Sequence, residues 1–236
     1  MDGEARVTRR ASLLKLGGLL AGAAAVGGWK ATDSPSATDE GTAGSGPAGV
    51  ASGAITCVLA PEQTAGPFYL DDQRLRRDVT DGKPGVPLTL RLEVVDASSC
   101  RPLRRAAVEI WHCDASGTYS GVRGARGRFL RGIQRTDARG LALFRTIYPG
   151  WYPGRTPHVH VRVSLGGNVV HTGQLYFPDE VTDAVYRRPP YDRRPGRDPR
   201  NGGDSIYRNG GRRSTLRIRR SGSGYAGSIR MGVLRA

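Results

Sequence analysis

The chain has 236 residues, of which 38% are apolar, with 34 Gly and 15 Pro. That mix excludes a coiled coil or helix bundle and suits a turn-rich β protein of one large domain or two small ones. The formal net charge is +15, but 14 Arg against 4 Asp place most of it in residues 183–236, unlike the even basicity of a chromatin protein.

Residues 1–32 read as an export signal. Arg9-Arg10 precede a Leu13-Leu14 pair and Lys15, and an apolar Ala/Gly-rich stretch runs from Leu16 to Gly28. A basic segment followed by a short apolar one is a signal peptide, too short to span a bilayer. The arginine pair resembles a twin-arginine signal. The expectation is a chain exported folded by that route, secreted or cell-surface associated, and not held in the membrane after signal removal. An ordinary secretion signal or a retained anchor is the alternative. Residues 33–54 are Ser, Thr, Gly, Ala, Pro and acid, and read as a disordered linker. The folded domain is expected over 55–236.

Leu88–Val95 alternates apolar with polar residues, a strand signal. Turn residues follow at Asp96–Pro102, then Ala107–Trp111 as a second strand, which predicts a hairpin of the two. Leu141–Ile147 alternates and stops at Pro149-Gly150. His158–Leu165 alternates cleanly, and Val169–Phe177 contains another strand. A short helical turn fits Pro178–Tyr186. After the Arg/Gly-rich loop 187–213 come two weaker strands, Leu216–Arg220 and Ala226–Leu234. Short strands with frequent turns predict an all-β fold, a β-sandwich of mostly antiparallel strands with long active-site loops.

The 3 Cys fit an exported protein. Cys100 and Cys113 stand at opposite ends of the second strand, about 30 Å apart in extended chain, and should not pair. That leaves Cys57 bridged to one of them, or no bridge.

His158-Val159-His160 is the sharpest chemical signal. Residues i and i+2 of a strand share a face, so two imidazoles project side by side. Taken alone, such a pair is more often two solvent-facing histidines than two metal ligands. His112 follows Trp111 and faces away from it; His171 is the remaining histidine. Before the pair, Pro149 to Arg155 sets Tyr152 in a turn fixed by two Pro and two Gly. A second tyrosine, Tyr119, sits in a Gly-flanked loop after Trp111. Each tyrosine alone reads as packing; with the histidines they offer two phenols and two imidazoles.

Four passages, in order, resemble the intradiol ring-cleavage dioxygenases, the catechol and protocatechuate 3,4-dioxygenase family. They are Thr64-Ala65-Gly66-Pro67-Phe68-Tyr69; Val108–Trp111 running to Gly117-Thr118-Tyr119; Pro149-Gly150-Trp151-Tyr152-Pro153; and Arg155-Thr156-Pro157-His158-Val159-His160. Gln174-Leu175-Tyr176-Phe177 fits a fifth, and Asn201 to Tyr207 is similar to the family's C-terminal part. The resemblance implies one non-haem Fe(III) per chain, held by Tyr119, Tyr152, His158 and His160. It implies a catechol-type substrate and O2, with both oxygen atoms inserted and the bond between the hydroxylated carbons cleaved to a cis,cis-muconate-type diacid. It also implies that Tyr152 leaves the metal and acts as base, that Arg155 stabilises charge on the ring, and that Gln174 orients Arg155. The residue types suit the metal. A free Tyr has a pKa of about 10, so a neutral-pH phenolate needs a strong Lewis acid, and hard Fe(III) favours anionic oxygen.

No helical dimerisation segment precedes residue 60, so the chain looks like the secreted single-domain branch, with a homodimer left open. The arginine clusters at Arg187-Arg188, Arg193-Arg194, Arg212-Arg213 and Arg217–Arg220 read mainly as a solvated surface. Acidic cell-wall polymers or lignin-derived acids are the intermediate reading, and no nucleic-acid partner is expected. Two other functions compete with the dioxygenase: an inactive β-sandwich binding module, and a copper or zinc enzyme on the same scaffold.

Overall fold

Alternation decides which side of each strand is buried. In the computed structural model, which describes residues 59–71, 74–194 and 196–235, β1 (Pro87–Asp96) buries Leu88, Leu90, Leu92 and Val94 and turns Arg91 outward. β2 (Ala107–Trp111), β3 (Arg131–Arg135), β4 (Leu141–Ile147), β5 (His158–Leu165) and β6 (Asn168–Tyr176) follow. A helix, α1 (Asp179–Tyr186), and a single turn, α2 (Ser205–Arg208), precede β7 (Arg217–Ser221) and β8 (Gly224–Val233). The signal, the linker and Cys57 lie outside the described residues.

The strands form two sheets of four, in the orders β4-β1-β8-β7 and β3-β2-β5-β6. Only β1 and β8 run parallel; the other strand pairs are antiparallel. The apolar core includes Leu90, Leu92 and Phe144 of the first sheet and Val108, Ile110, Val159, Val161 and Leu175 of the second. The expected all-β sandwich is therefore the fold. The described residues lie in one compact unit.

Three expectations change. β1 and β2 are not a hairpin, because they belong to different sheets. After the Asp96–Pro102 turn the chain makes one bridge, Val95 to Pro102, and then passes buried Leu103 and Ala106 on its way to the other sheet. Alternation reports a half-buried strand but not which sheet it joins, and sandwiches switch sheets at such turns. β3 was not expected at all: its sequence, RGIQR, has one large apolar residue and no readable period. α2 was also not expected. It is set by Asp204, whose carboxylate accepts from the amides of Ile206 and Tyr207, a side-chain N-cap. The helical turn expected at Pro178–Tyr186 is α1, with Asp179 and Glu180 against its positive end.

Cys100 is disulfide-bonded while Cys113 is buried and free, so these two do not pair.

Candidate metal centre

The site is built on the outer face of the second sheet, away from the core. β5 sends Val159, Val161 and Val163 into the core, and therefore His158 and His160 to the other side. Both histidines are nonetheless buried, because loops cover that face. One rung crosses all four strands: Arg131 of β3 pairs with Trp111 of β2, which pairs with His160 of β5, which pairs with Gln174 of β6. The next rung sets His158 beside Tyr176. Trp111 stacks on His160 at 4.8 Å and 2°. His112 turns the other way, to Thr146 Oγ1 at 2.7 Å, and His171 lies against Glu62, so neither joins the pair.

The cover comes from three segments. The loop after β2 brings in Tyr119. Its shape is set by Asp114, whose carboxylate accepts from Ser116 N and Oγ, Thr118 N and Lys83 Nζ. The turn carrying Tyr152 packs against this loop through Gly150. A Cβ at Gly150 would stand 2.5 Å from the carbonyl oxygens of Asp114 and Ala115, so only glycine allows the approach. The segment 64–69 lies over both tyrosines: Phe68 stacks on Tyr119 at 4.6 Å and meets Tyr152 edge-on at 5.8 Å. Gly66, at φ +69°, lets the backbone pass close above His160.

All four expected ligand side chains converge. His158 and His160 ring centres are 4.8 Å apart, Tyr152 and His158 5.6 Å, Tyr119 and Tyr152 5.8 Å, and Tyr119 and His160 6.2 Å. His158 Nδ1 lies 2.7 Å from the Thr156 carbonyl. That oxygen can only accept, so the proton sits on Nδ1 and the Nε2 lone pair faces the cluster. His160 Nε2 is 3.2 Å from His158 Nε2, and Tyr152 Oη is 3.1 Å from it. Tyr119 Oη is buried with no hydrogen-bond partner, although Tyr152 is near enough to affect its ionisation.

Burial governs the charge state of every donor. It lowers His158 to about 3 and His160 well below the usual range, so both imidazoles are neutral. It raises Tyr119 well above 10 and Tyr152 also upward, which keeps the phenols protonated while nothing cationic displaces the proton. Two neutral imidazoles, an orphan phenol and a second phenol around one point suit a hard, strongly acidic cation. Among the described residues no three His, Cys, Asp or Glu side chains group as a metal site. A metal here must draw on the tyrosines.

Arg155 and Gln174 reach the same place. Arg155 donates through Nε to Asp204 at 2.9 Å, through Nη2 to Gln174 Oε1, and through Nη1 to Tyr152 Oη at 3.4 Å. Gln174 is held in turn by Thr64 O and the Tyr176 hydroxyl. Burial works against the Arg155 charge, but Tyr152 and Asp204 outweigh it. Asp204 is buried too, yet Arg155 holds its carboxyl below the usual range.

Three residues escaped the sequence reading. Asp204 anchors Arg155, and its only prior signal was its place in the Asn201–Tyr207 passage. Arg131 is buried under Tyr119 and donates to Ser120 Oγ, Ser120 O and Phe68 O, tying the Tyr119 loop to the covering segment. Arg194 donates to Ser116 O and Trp151 O and stacks on Trp151 at 4.5 Å, so it joins the two loops that carry the phenols. Arg131 lay in an unread strand, and Arg194 in a cluster assigned to solvent.

A family model described as a dioxygenase matches residues 61–185. Catechol 1,2-dioxygenase 2 of Acinetobacter lwoffii is 36% identical over 106 residues, 44% of this chain but 38% of that protein. The chain thus spans well under two thirds of this curated relative. An intradiol ring-cleavage dioxygenase from Tetranychus urticae superposes with a TM-score of 0.72 at 32% identity, covering 75% of this chain and 95% of that one. The dioxygenase domain of a carbohydrate-binding fusion protein from Streptomyces sp. SirexAA-E is 33% identical with a TM-score of 0.60, covering 76% and 100%. Fold, motif order and these likenesses agree: the chain belongs to the intradiol ring-cleavage dioxygenase family.

Proposed function

We propose that this protein is an exported non-haem Fe(III) intradiol dioxygenase. It would insert both atoms of O2 into a catechol-type diol and cleave the bond between the hydroxylated carbons, giving a cis,cis-muconate-type diacid. The observation that carries the reading is the meeting of Tyr119, Tyr152, His158 and His160 beside a pinned Arg155. When bound, ferric iron would chelate the diol as its dianion and draw electron density from the ring, opening it to O2.

The chain's own residues supply the rest. His158 and His160 present neutral nitrogen, and the Thr156 carbonyl fixes the His158 ring. Tyr119 is the enclosed phenol, covered by Phe68. Tyr152 is the half-buried phenol and the one in reach of both His158 and Arg155. Held as a tyrosinate once iron is bound, it would be the group that moves aside and takes a substrate proton on Oη. Arg155, held by Asp204 and Gln174, keeps a fixed positive charge beside that oxygen and the incoming ring, which is electrostatic preorganisation. Residues 1–32 would direct export by the twin-arginine route; the Arg9-Arg10 pair and the apolar stretch behind it support this.

The test is visible spectroscopy of the iron-loaded protein before and after anaerobic addition of catechol. A tyrosinate-to-iron charge-transfer band that shifts with catechol, then a muconate product on admitting air, is expected. A colourless protein that retains zinc or copper but not iron would overturn the proposal in favour of a different metalloenzyme. Retention of no metal would leave only a binding module.

A further inference from the structure

The outer face of the other sheet concentrates arginine. The register sets Arg91 of β1, Ser228 of β8 and Arg217 of β7 on one rung, with Arg219 of β7 one step along the same side. Glu93 and Arg230 share a second rung and form an ion pair at 3.0 Å. Arg213 reaches the same place from the loop before β7. Together Arg91, Arg213, Thr215, Arg217, Ser228 and Arg230 line a shallow cavity of about 390 Å3, with Glu93 as its one carboxylate. Asp137 is the other acid in electrostatic range of Arg91. Arg91, Arg213, Arg217 and Arg219 form no ion pair among the described residues.

Four strand positions and one loop thus aim cations at one patch. Strands stand about 4.8 Å apart and same-face neighbours on a strand about 7 Å apart. Arg91 and Arg217, two strands apart, are therefore roughly 10 Å from each other. That array fits a chain of regularly repeated anions better than one small ion. Ser228 and Thr215 add hydroxyls to the same lining. Among the described residues no aromatic ring lines the cavity, so nothing there would stack on nucleic-acid bases.

We infer that this face binds a linear polyuronate, an acidic polysaccharide whose carboxylates meet the arginines and whose hydroxyls meet Ser and Thr. Guanidinium groups match carboxylates in bidentate geometry. The face lies on the opposite sheet from the candidate metal centre, so a tethered molecule would keep that centre open to small diols. The inference does not depend on the dioxygenase reading, because binding is measured without turnover.

The test is retention of the full chain on immobilised polygalacturonate at low and near-physiological salt, with dextran and duplex DNA as competitors. The wild type is expected to bind, to be displaced by soluble polygalacturonate but not dextran, and to lose about tenfold or more in affinity over that salt range. R91E/R217E is expected to weaken binding by roughly tenfold at low salt, and R104E/R126E, with the same net charge change elsewhere, by less than about threefold. Equal losses in the two pairs would show a net-charge effect and overturn the inference. So would absence of binding at low salt, or competition by duplex DNA at lower concentration than polygalacturonate. Should R91E/R217E fail to fold, arginine-selective labelling of the wild type decides. Protection of Arg91, Arg213 and Arg217 by the polymer is expected, and unchanged labelling would overturn the inference.

Discussion

At the scale of single residues, Tyr119 holds a hydroxyl in a place that stability alone would not choose. A buried polar group without a partner costs about 1–3 kcal/mol, and Tyr119 Oη is one. Metal-free Tyr119→Phe should therefore unfold at the same denaturant concentration as the metal-free parent or higher. On the proposed iron site, the iron-loaded variant should lose the stabilisation expected from iron in the parent, together with much of the expected charge-transfer band. A metal-free variant less stable by over about 1 kcal/mol would mean that the hydroxyl is a structural group. Arg155 poses the complementary case. Its planar fork serves Asp204, Gln174 and Tyr152 at once, and a Lys cannot replace that geometry. Arg155→Lys should keep the band and lower kcat by about a hundredfold; loss of the band would point to a role in holding the ligands instead. The two histidines were legible because a period of two leaves them on one face. Asp204 and Arg131 were not, since a buried charge is identified by its partners, and these include Arg155, 49 residues from Asp204, and Phe68, 63 residues from Arg131.

Among elements, the loop 114–119 shows how a short run of polar residues fixes the candidate ligand Tyr119. Burial alone would raise the Asp114 carboxyl, but hydrogen bonds from Ser116, Lys83 and Thr118 outweigh it and hold it below the ordinary Asp range. A folded-state value below the unfolded one, about 3.9, stabilises the protein at every pH above that ordinary value. The contribution disappears as pH falls through the lower, folded value. Asp114→Asn should cost about 1–2 kcal/mol at pH 7 and flatten the acid limb of the stability curve below about pH 4. An unchanged acid limb would assign the acid sensitivity to other carboxylates. Element by element, β4 and β5 were readable because one face of each is apolar. The predicted β1–β2 hairpin failed because strand pairing is a long-range choice that local alternation does not record. β3 was hidden because Gly132 and three long polar side chains carry no period, and register with Trp111 makes it a strand.

Across the whole molecule, the two sheets divide their outer faces between chemistry and charge. The second carries the buried tyrosines and histidines under loops, and the first carries exposed arginines. The first sheet depends on β8. β8 lies between β1 and β7 and pairs with β1 along Leu88 to Asp96. Removing residues 222–235 should leave β1 without its parallel neighbour and β7 without any, and abolish the cooperative unfolding transition seen by circular dichroism. A truncated chain that still unfolds in one sharp step would show that β4 alone secures β1.

The same arrangement governs the order of events in synthesis. β1 leaves the ribosome more than a hundred residues before β8, so at typical elongation rates its inner edge waits on the order of ten seconds for its partner. Until then a strand rich in Leu and Val has an open side, and the first sheet cannot close. The native sandwich can therefore arise only after translation has passed residue 233. On the proposed twin-arginine route, which carries folded proteins, the signal would have to wait until β8 has paired before export begins.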